Sequence, residues 1–228
     1  MLIPLPRGGH TPRPRKKRMN FDLEYLPGSV AYKLMVGLVA PRPIALVTTL
    51  SEDGQLNAAP FSAYNYLSTH PPIVGLGIAN HSDFRSKDTS RNIRRTGEFV
   101  VNVVTEDLAE AMNIAAIDFP PEVNELEAAG LATAPSQRIR VPRIARAHAA
   151  LECREHATVA LGTTNIVLGR IVAIYVEDEF IDPAGPYVRA EALGLVGRMN
   201  GTGNYVRTRD AFFQIPRIPL DDWNQGKR

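Results

Sequence analysis

A chain of 228 residues with 44% apolar and 22% charged side chains is long enough to bury a full core as one domain. It has no apolar run of bilayer-spanning length, and its single cysteine, Cys153, excludes an internal disulfide and fits a reducing, cytoplasmic setting. The formal net charge of +2 conceals an asymmetry: residues 1–18 carry six basic side chains and no acidic one, so the 24 acids outnumber the bases in the rest.

Pro4, Pro6, Pro12 and Pro14 prevent an amphipathic helix in that first segment, which also lacks the apolar centre of a secretory signal. Residues 1–20 are expected to form a flexible basic arm, and residues 21–228 a single domain. Contact between the arm and nucleic acid is one reading of its charge. No fold-level motif supports it, so neither nucleic acid nor membrane is expected as a partner.

Residues 43–50 form a nearly continuous apolar run, which predicts a buried strand. Asp53-Gly54 predicts a hairpin turn leading into a second strand over 55–65, where Pro60 confines the strand to an edge or a bulge. Residues 73–79 and 98–104 read as two core strands. Helices are expected over 88–95, 107–116 and 123–129, the last stopped by Gly130. From Ala150 to Glu177 the pattern returns to strands, with Gly169 at a bend; Cys153 is expected to be a buried strand residue. Strands outnumber helices and no βαβ alternation occurs. The fold class is therefore mainly β, a Greek-key barrel with a few short peripheral helices.

Two segments carry the chemistry. Arg85-Ser86-Lys87-Asp88-Thr89 opens a short helix, whose unpaired N–H groups, with the Lys87 charge and the Thr89 hydroxyl, make a natural phosphate seat. Arg85 is a second cation for it, and Asp88 is expected to cap the helix and lend its backbone N–H. A Lys-Asp-Thr run is also an ordinary way to start a helix. Thr48 and Thr49, the polar edge Ala59-Pro60-Phe61-Ser62, and Asn65 offer donors and acceptors for a flat ring, although a strand Thr or Ser is often only a ladder residue. His81 stands just before the phosphate loop. His10, His70, His148 and His156 show no metal-ligand spacing, so no metal is expected, and no Ser-His-Asp order is persuasive.

Three blocks add a family likeness: Arg42-Pro43-Ile44-Ala45-Leu46-Val47-Thr48-Thr49, Asn57 through Asn65, and Lys87-Asp88-Thr89 leading to Thr96-Gly97-Glu98-Phe99-Val100-Val101-Asn102. Weaker echoes follow at 125–131, at Leu151-Glu152-Cys153, at Gly197-Arg198 and at Asn204-Tyr205. Over roughly residues 30 to 210 the chain resembles the flavin reductase-like family of FMN-binding split barrels.

The resemblance implies a split β-barrel that binds FMN, with FAD as the alternative, and uses NAD(P)H as co-substrate. The phosphate would lie at Arg85, Lys87, Asp88 and Thr89. The isoalloxazine ring would lie at Thr48, Thr49, Ala59, Pro60, Phe61, Ser62 and Asn65, with His81 touching the ribityl chain or the incoming nicotinamide. It further implies a homodimer with flavin near the subunit interface, and an oxygenase as downstream partner. No catalytic acid or base is assigned, because hydride transfer between two rings asks mainly for positioning. A non-enzymatic FMN-holding electron carrier is the competing function. It draws support from Asn165, which stands where relatives that reduce flavins often carry a His. The Gly-rich segment 197–205 is expected at the cofactor or the dimer seam, and Phe212-Phe213-Gln214-Ile215-Pro216 with Trp223 is expected to pack on the body or a partner.

Overall fold

The computed structural model describes residues 19–120, 123–201, 203–209, 212, 215 and 220. The arm over 1–18, and Thr202, Phe213, Gln214, Pro216 and Trp223, lie outside the described residues.

Eleven strands and five α-helices occur among the described residues. They run α1 (Gly28–Leu38), β1 (Ala45–Leu50), β2 (Leu56–Phe61), β3 (Tyr64–Thr69), β4 (Pro72–Ala79), α2 (Asp88–Thr96) and β5 (Glu98–Val103). Then come α3 (Ala109–Ile114), α4 (Glu125–Ala128), β6 (Thr133–Ala134), β7 (Arg143–Ile144), β8 (Ala149–Leu161), β9 (Thr164–Val176), α5 (Ala190–Leu193), β10 (Val196–Arg198) and β11 (Tyr205–Arg207). No described helix is long and apolar enough to cross a membrane.

Seven strands form one antiparallel sheet in the order β2-β1-β5-β8-β9-β4-β3. Its two outermost strands, β2 and β3, are consecutive in the chain and joined by Ser62 and Ala63 alone. A flat sheet would hold its edges about 29 Å apart at ~4.8 Å per strand. Two linking residues reach about 10 Å at ~3.3–3.6 Å per residue. The sheet must therefore roll up, and the bond from Gly77 N to Ala63 O (2.7 Å) fastens the corner onto β4. Closure at a corner, without a β2–β3 ladder, gives the split barrel.

The hairpin of β1 and β2 is as expected, with Gly54 at φ 79° in its turn and Pro60 on the edge strand opposite Leu46. β1 is buried on both faces, which explains its unbroken apolar run. Ala45 and Val47 join Leu76, Ile78, Phe99 and Val167 in one core, while Leu46 joins Leu108, Met112, Leu126 and Ile144 in the other. Cys153 is buried in the first core, where loss of solvation pushes its thiol pKa upward.

Gly169 does lie at an irregularity, since the β8–β9 register shifts between Glu155 and Ala157. The reason for glycine is the neighbouring ring: a Cβ there would stand 2.2 Å from Phe99 Cζ. Helix α1 and strands β3, β6, β7, β10 and β11 have no counterpart among the sequence expectations. The helix expected over 107–116 is a 3₁₀ turn at Glu106–Leu108 followed by α3. The one over 123–129 is shorter, with Asn124 as its cap and Gly130 at φ 63° behind it.

Candidate functional site

Helix α2 starts beside the edge strand β2, and an open cleft of about 140 Å³ lies between them. One wall is Asn57 to Phe61 of β2, and another is His81 with Lys87, Asp88 and Thr89. The third is Ala115 to Phe119 after α3, with Glu125 of α4. Asn57 Nδ2 donates to Thr89 Oγ1 at 3.1 Å and ties the first two walls together. The Thr89 hydroxyl accepts there, so its own proton remains available for a ligand.

Lys87 occupies the N-cap position of α2 and makes no side-chain cap bond. The first bond of the helical ladder runs from Arg91 N to Lys87 O. The N–H groups of Asp88, Thr89 and Ser90 thus lack an intrahelical acceptor and carry the positive end of the helix dipole. The expectation that Asp88 caps this helix is corrected: it is the first helical residue, and its carboxylate pairs with Arg91 one turn on. The Lys87 ammonium lies 3.5 Å from Asp118 Oδ1 across the cleft mouth. Glu125 Oε2 accepts from Ala58 N at 3.3 Å. Partial burial raises the Glu125 pKa above the usual carboxylate range, and the Asp88 charge adds to the rise.

A second cleft of about 230 Å³ adjoins the first across a shared wall of Pro60, Phe61 and Ala116. Ser62, Tyr32, Arg42, Met112, Asn113, Arg198 and Tyr205 complete it with Ile44. Arg42 Nη1 donates to the carbonyls of Val36 (2.8 Å), Val39 (2.9 Å) and Met199 (2.6 Å), closing the C-terminal end of α1, and Nε donates to Ser62 Oγ at 3.4 Å. Arg198 is set by a reciprocal backbone pair with Arg42, at 2.9 and 2.8 Å.

Eight of the twelve residues singled out from sequence therefore line these two clefts: Ala59, Pro60, Phe61, Ser62, His81, Lys87, Asp88 and Thr89. Four do not. Thr48 is fully buried, donating to Pro142 O at 2.8 Å and accepting from Asn102 at 3.3 Å. Thr49 is equally buried and accepts from Asn92 at 3.1 Å. Asn65 is exposed on β3, its side chain bonded to Tyr66 N. Arg85 turns outward to Asp83 at 2.6 Å, which holds the Asp83 carboxyl below its ordinary pKa.

Sequence reasoning did not assign Asn57, Glu125, Arg42, Arg198 or Tyr205 individually, although each stands in or beside a quoted block. Ile117, Asp118 and Phe119 carry no sequence signal at all. They reach the cleft only because α3 ends there.

Comparisons with known proteins agree with this fold. A family model described as flavin reductase like domain matches residues 37–191. An uncharacterized protein of Deinococcus radiodurans is 42% identical over 211 residues, which is 90% of this chain and 92% of its own. The structure of 2-nitrobenzoate 2-nitroreductase NbaA of Pseudomonas fluorescens is 37% identical at a TM-score of 0.79, covering 89% of this chain and 97% of that one. Nitrilotriacetate monooxygenase component B from Bacillus cereus is 30% identical at a TM-score of 0.82, covering 87% of this chain and all of that one. These matches support a flavin-linked redox function, and the chain belongs to the flavin reductase-like family.

Proposed function

We propose that this protein is an FMN-binding, NAD(P)H-dependent flavin oxidoreductase of the cytoplasm. The observation that carries the reading is the single trough running from the start of α2 along β2 to Phe61. From Asn57 to Phe61 the strand advances about 13 Å at ~3.4 Å per residue, a length suited to a phosphate at one end and a flat ring at the other. Lys87, Thr89 and the first-turn N–H groups of α2 would hold the phosphate. Ala59 to Ser62 would supply backbone partners for the ring, and His81 with Ile117 and Phe119 would cover it. Bound flavin would supply the redox chemistry, accepting hydride at N5 from the nicotinamide. The chain's own part is to hold the two rings in register and exclude water.

The carboxylates of the trough fit this use. Asp88 is paired with Arg91, Asp118 stands exposed at the mouth, and burial raises the pKa of Glu125. A second copy of the chain would cover the apolar side chains exposed on β3 and at the β8–β9 end, Tyr66, Leu67, Val159 and Leu161. Reduced flavin would then pass to a separate oxygenase, a role in keeping with likeness to a monooxygenase component.

The test is an anaerobic mixture of the protein with about twentyfold excess FMN and NADH or NADPH, read by the loss of oxidised-flavin absorbance. Reduction of many flavins per protein supports the reading, and the faster nicotinamide identifies the donor. FMN binding without reduction by either nicotinamide overturns it in favour of an electron carrier. One observation favours that second reading: Asn165 is buried and donates to Asn80 Oδ1 at 2.9 Å, so this position offers no titratable group.

A further inference from the structure

A third concavity lies away from both clefts. It is an open groove of about 620 Å³ between the β3–β4 turn and the middle of β8 and β9. Arg138, Arg154 and Arg170 line it together with His70, and none of its described lining residues is acidic. Pro72 and Ile171 give it an apolar flank. From Pro72 to Ala79 strand β4 advances about 24 Å at ~3.4 Å per residue, so the groove stands at the opposite end of that strand from His81 and the trough.

The placement of the three arginines works against the fold. Arg154 and Arg170 are direct cross-strand partners, and like charges set opposite each other destabilise a sheet. The neighbouring acids do not offset this. Glu98 is shared, with Arg140 Nε and Arg154 Nε each 3.7 Å from its carboxylate. Both oxygens of Glu152 accept from backbone, Gln137 N and Arg138 N, at 2.7 Å each. Those two bonds fasten the loop that carries Arg138, and Arg154 Nη2 donates to Arg138 O at 3.0 Å to hold it beside β8. Among the described residues, neither the Arg138 nor the Arg170 guanidinium makes a hydrogen bond or has a carboxylate within 4.0 Å.

We propose that this groove is a binding site for a diphosphate group, held by Arg138, Arg154 and Arg170. Guanidinium forks match phosphate oxygens, and two linked phosphates at ~1.5–2 charges each are enough for three arginines. A single phosphate would leave one guanidinium unmatched. Three cations converging in a concavity from a loop and two strands suit a compact anion, whereas an acidic protein face would call for cations spread along a surface. The diphosphate belongs to inorganic pyrophosphate or to a nucleoside diphosphate, whose base would lie on Pro72 and Ile171. The groove has no part in electron transfer, and it stands whether or not the trough holds flavin.

The test is calorimetric titration of the full chain with pyrophosphate, ADP, orthophosphate and AMP at about 0.15 M salt, where loose charge attraction is screened. Pyrophosphate or ADP is expected to saturate a single site per chain, about tenfold or more tighter than the matching monophosphate. Tighter binding of ADP identifies a nucleotide, and equal or tighter binding of pyrophosphate identifies the inorganic anion. Arg138→Ala and Arg170→Ala should each weaken binding about tenfold to hundredfold, as loss of a charge-assisted hydrogen bond does. Their melting temperatures should be unchanged or raised, because a like charge has been removed. Lys33→Ala, which removes an exposed cation of α1, should leave binding unchanged. No saturable binding, no preference for the diphosphate, or binding that survives the Arg138→Ala/Arg170→Ala double variant overturns the proposal. A fall in melting temperature that accounts for the lost affinity would make the arginines structural and overturn it as well.

Discussion

The side-chain amide of Asn57 donates to the hydroxyl of Thr89 across 3.1 Å, joining the edge of the barrel to the first turn of α2. Thr89 is almost wholly buried, yet it lines the trough, so the same oxygen that fastens strand to helix can donate its proton inward. Architecture and binding chemistry thus share one hydroxyl.

Replacing Lys87 and Thr89 with Ala should weaken FMN binding by about 1.5–3 kcal/mol for each charge-assisted bond lost. Riboflavin, which lacks the phosphate, should lose much less. Titrations of both ligands by fluorescence quenching decide it, and equal losses would remove the phosphate from this end of the trough.

Thr48 and Thr49 separate packing from binding. Their hydroxyls are spent on Pro142, Asn102 and Asn92 inside the fold. Thr48→Val and Thr49→Val should each cost about 1 kcal/mol of stability through a lost hydrogen bond. FMN affinity should move by less than about twofold. A tenfold loss of FMN affinity in a variant of unchanged melting temperature would return these residues to the site.

Glu125 should make both stability and FMN affinity depend on pH. Its folded-state pKa is raised by burial and by Asp88, so the folded protein holds this proton more tightly than the unfolded chain does. Its contribution is fully present below the ordinary carboxylate pKa and is lost as pH rises through the raised value. Glu125→Gln, which cannot ionise, should therefore gain melting temperature and FMN affinity over the parent as pH increases from 4 to 7. A difference that stays flat across this range would mean that the carboxyl titrates normally.

Asn102 should be among the least replaceable residues. It is fully buried, donates to Leu46 O at 2.9 Å and accepts from Ile144 N at 2.7 Å, bridging β5 to β1 and to β7. Asn102→Leu strands both backbone groups and should cost about 2–4 kcal/mol, because each unpaired buried group costs ~1–3 kcal/mol. Denaturant unfolding measures this directly.

Gly169→Ala should destabilise by about 1–3 kcal/mol, as overpacking does, since the new methyl meets the Phe99 ring. Each kcal/mol corresponds to a fall of about 2–4 °C for a chain of this size. Phe99→Leu should recover part of the loss when combined with it, a coupling that a double-mutant cycle reads out.

Local signals in the chain were sufficient for much of this. The apolar run before Asp53-Gly54 and the placement of Pro60 determine a buried strand, a turn and an edge strand, because sterics and ladder bonding act over a few residues. Lys87-Asp88-Thr89 marks a helix start by the same local logic, and the ordered blocks carry the family. Arg85 was misleading because a cation near a phosphate loop looks useful in sequence. Asp83, two residues away, claims it in space.

The tertiary structure decided what lies opposite what. Sequence spacing cannot show that Ser62 and Ala63 join the two outer strands, which forces the sheet to roll up, nor that Arg198 and Tyr205 reach the wall beside Phe61. It also cannot show that Thr48 and Thr49 turn away from the trough into buried hydrogen bonds. A one-residue change of register sends a strand side chain to the other face, and which face becomes interior is settled only when distant segments close over it.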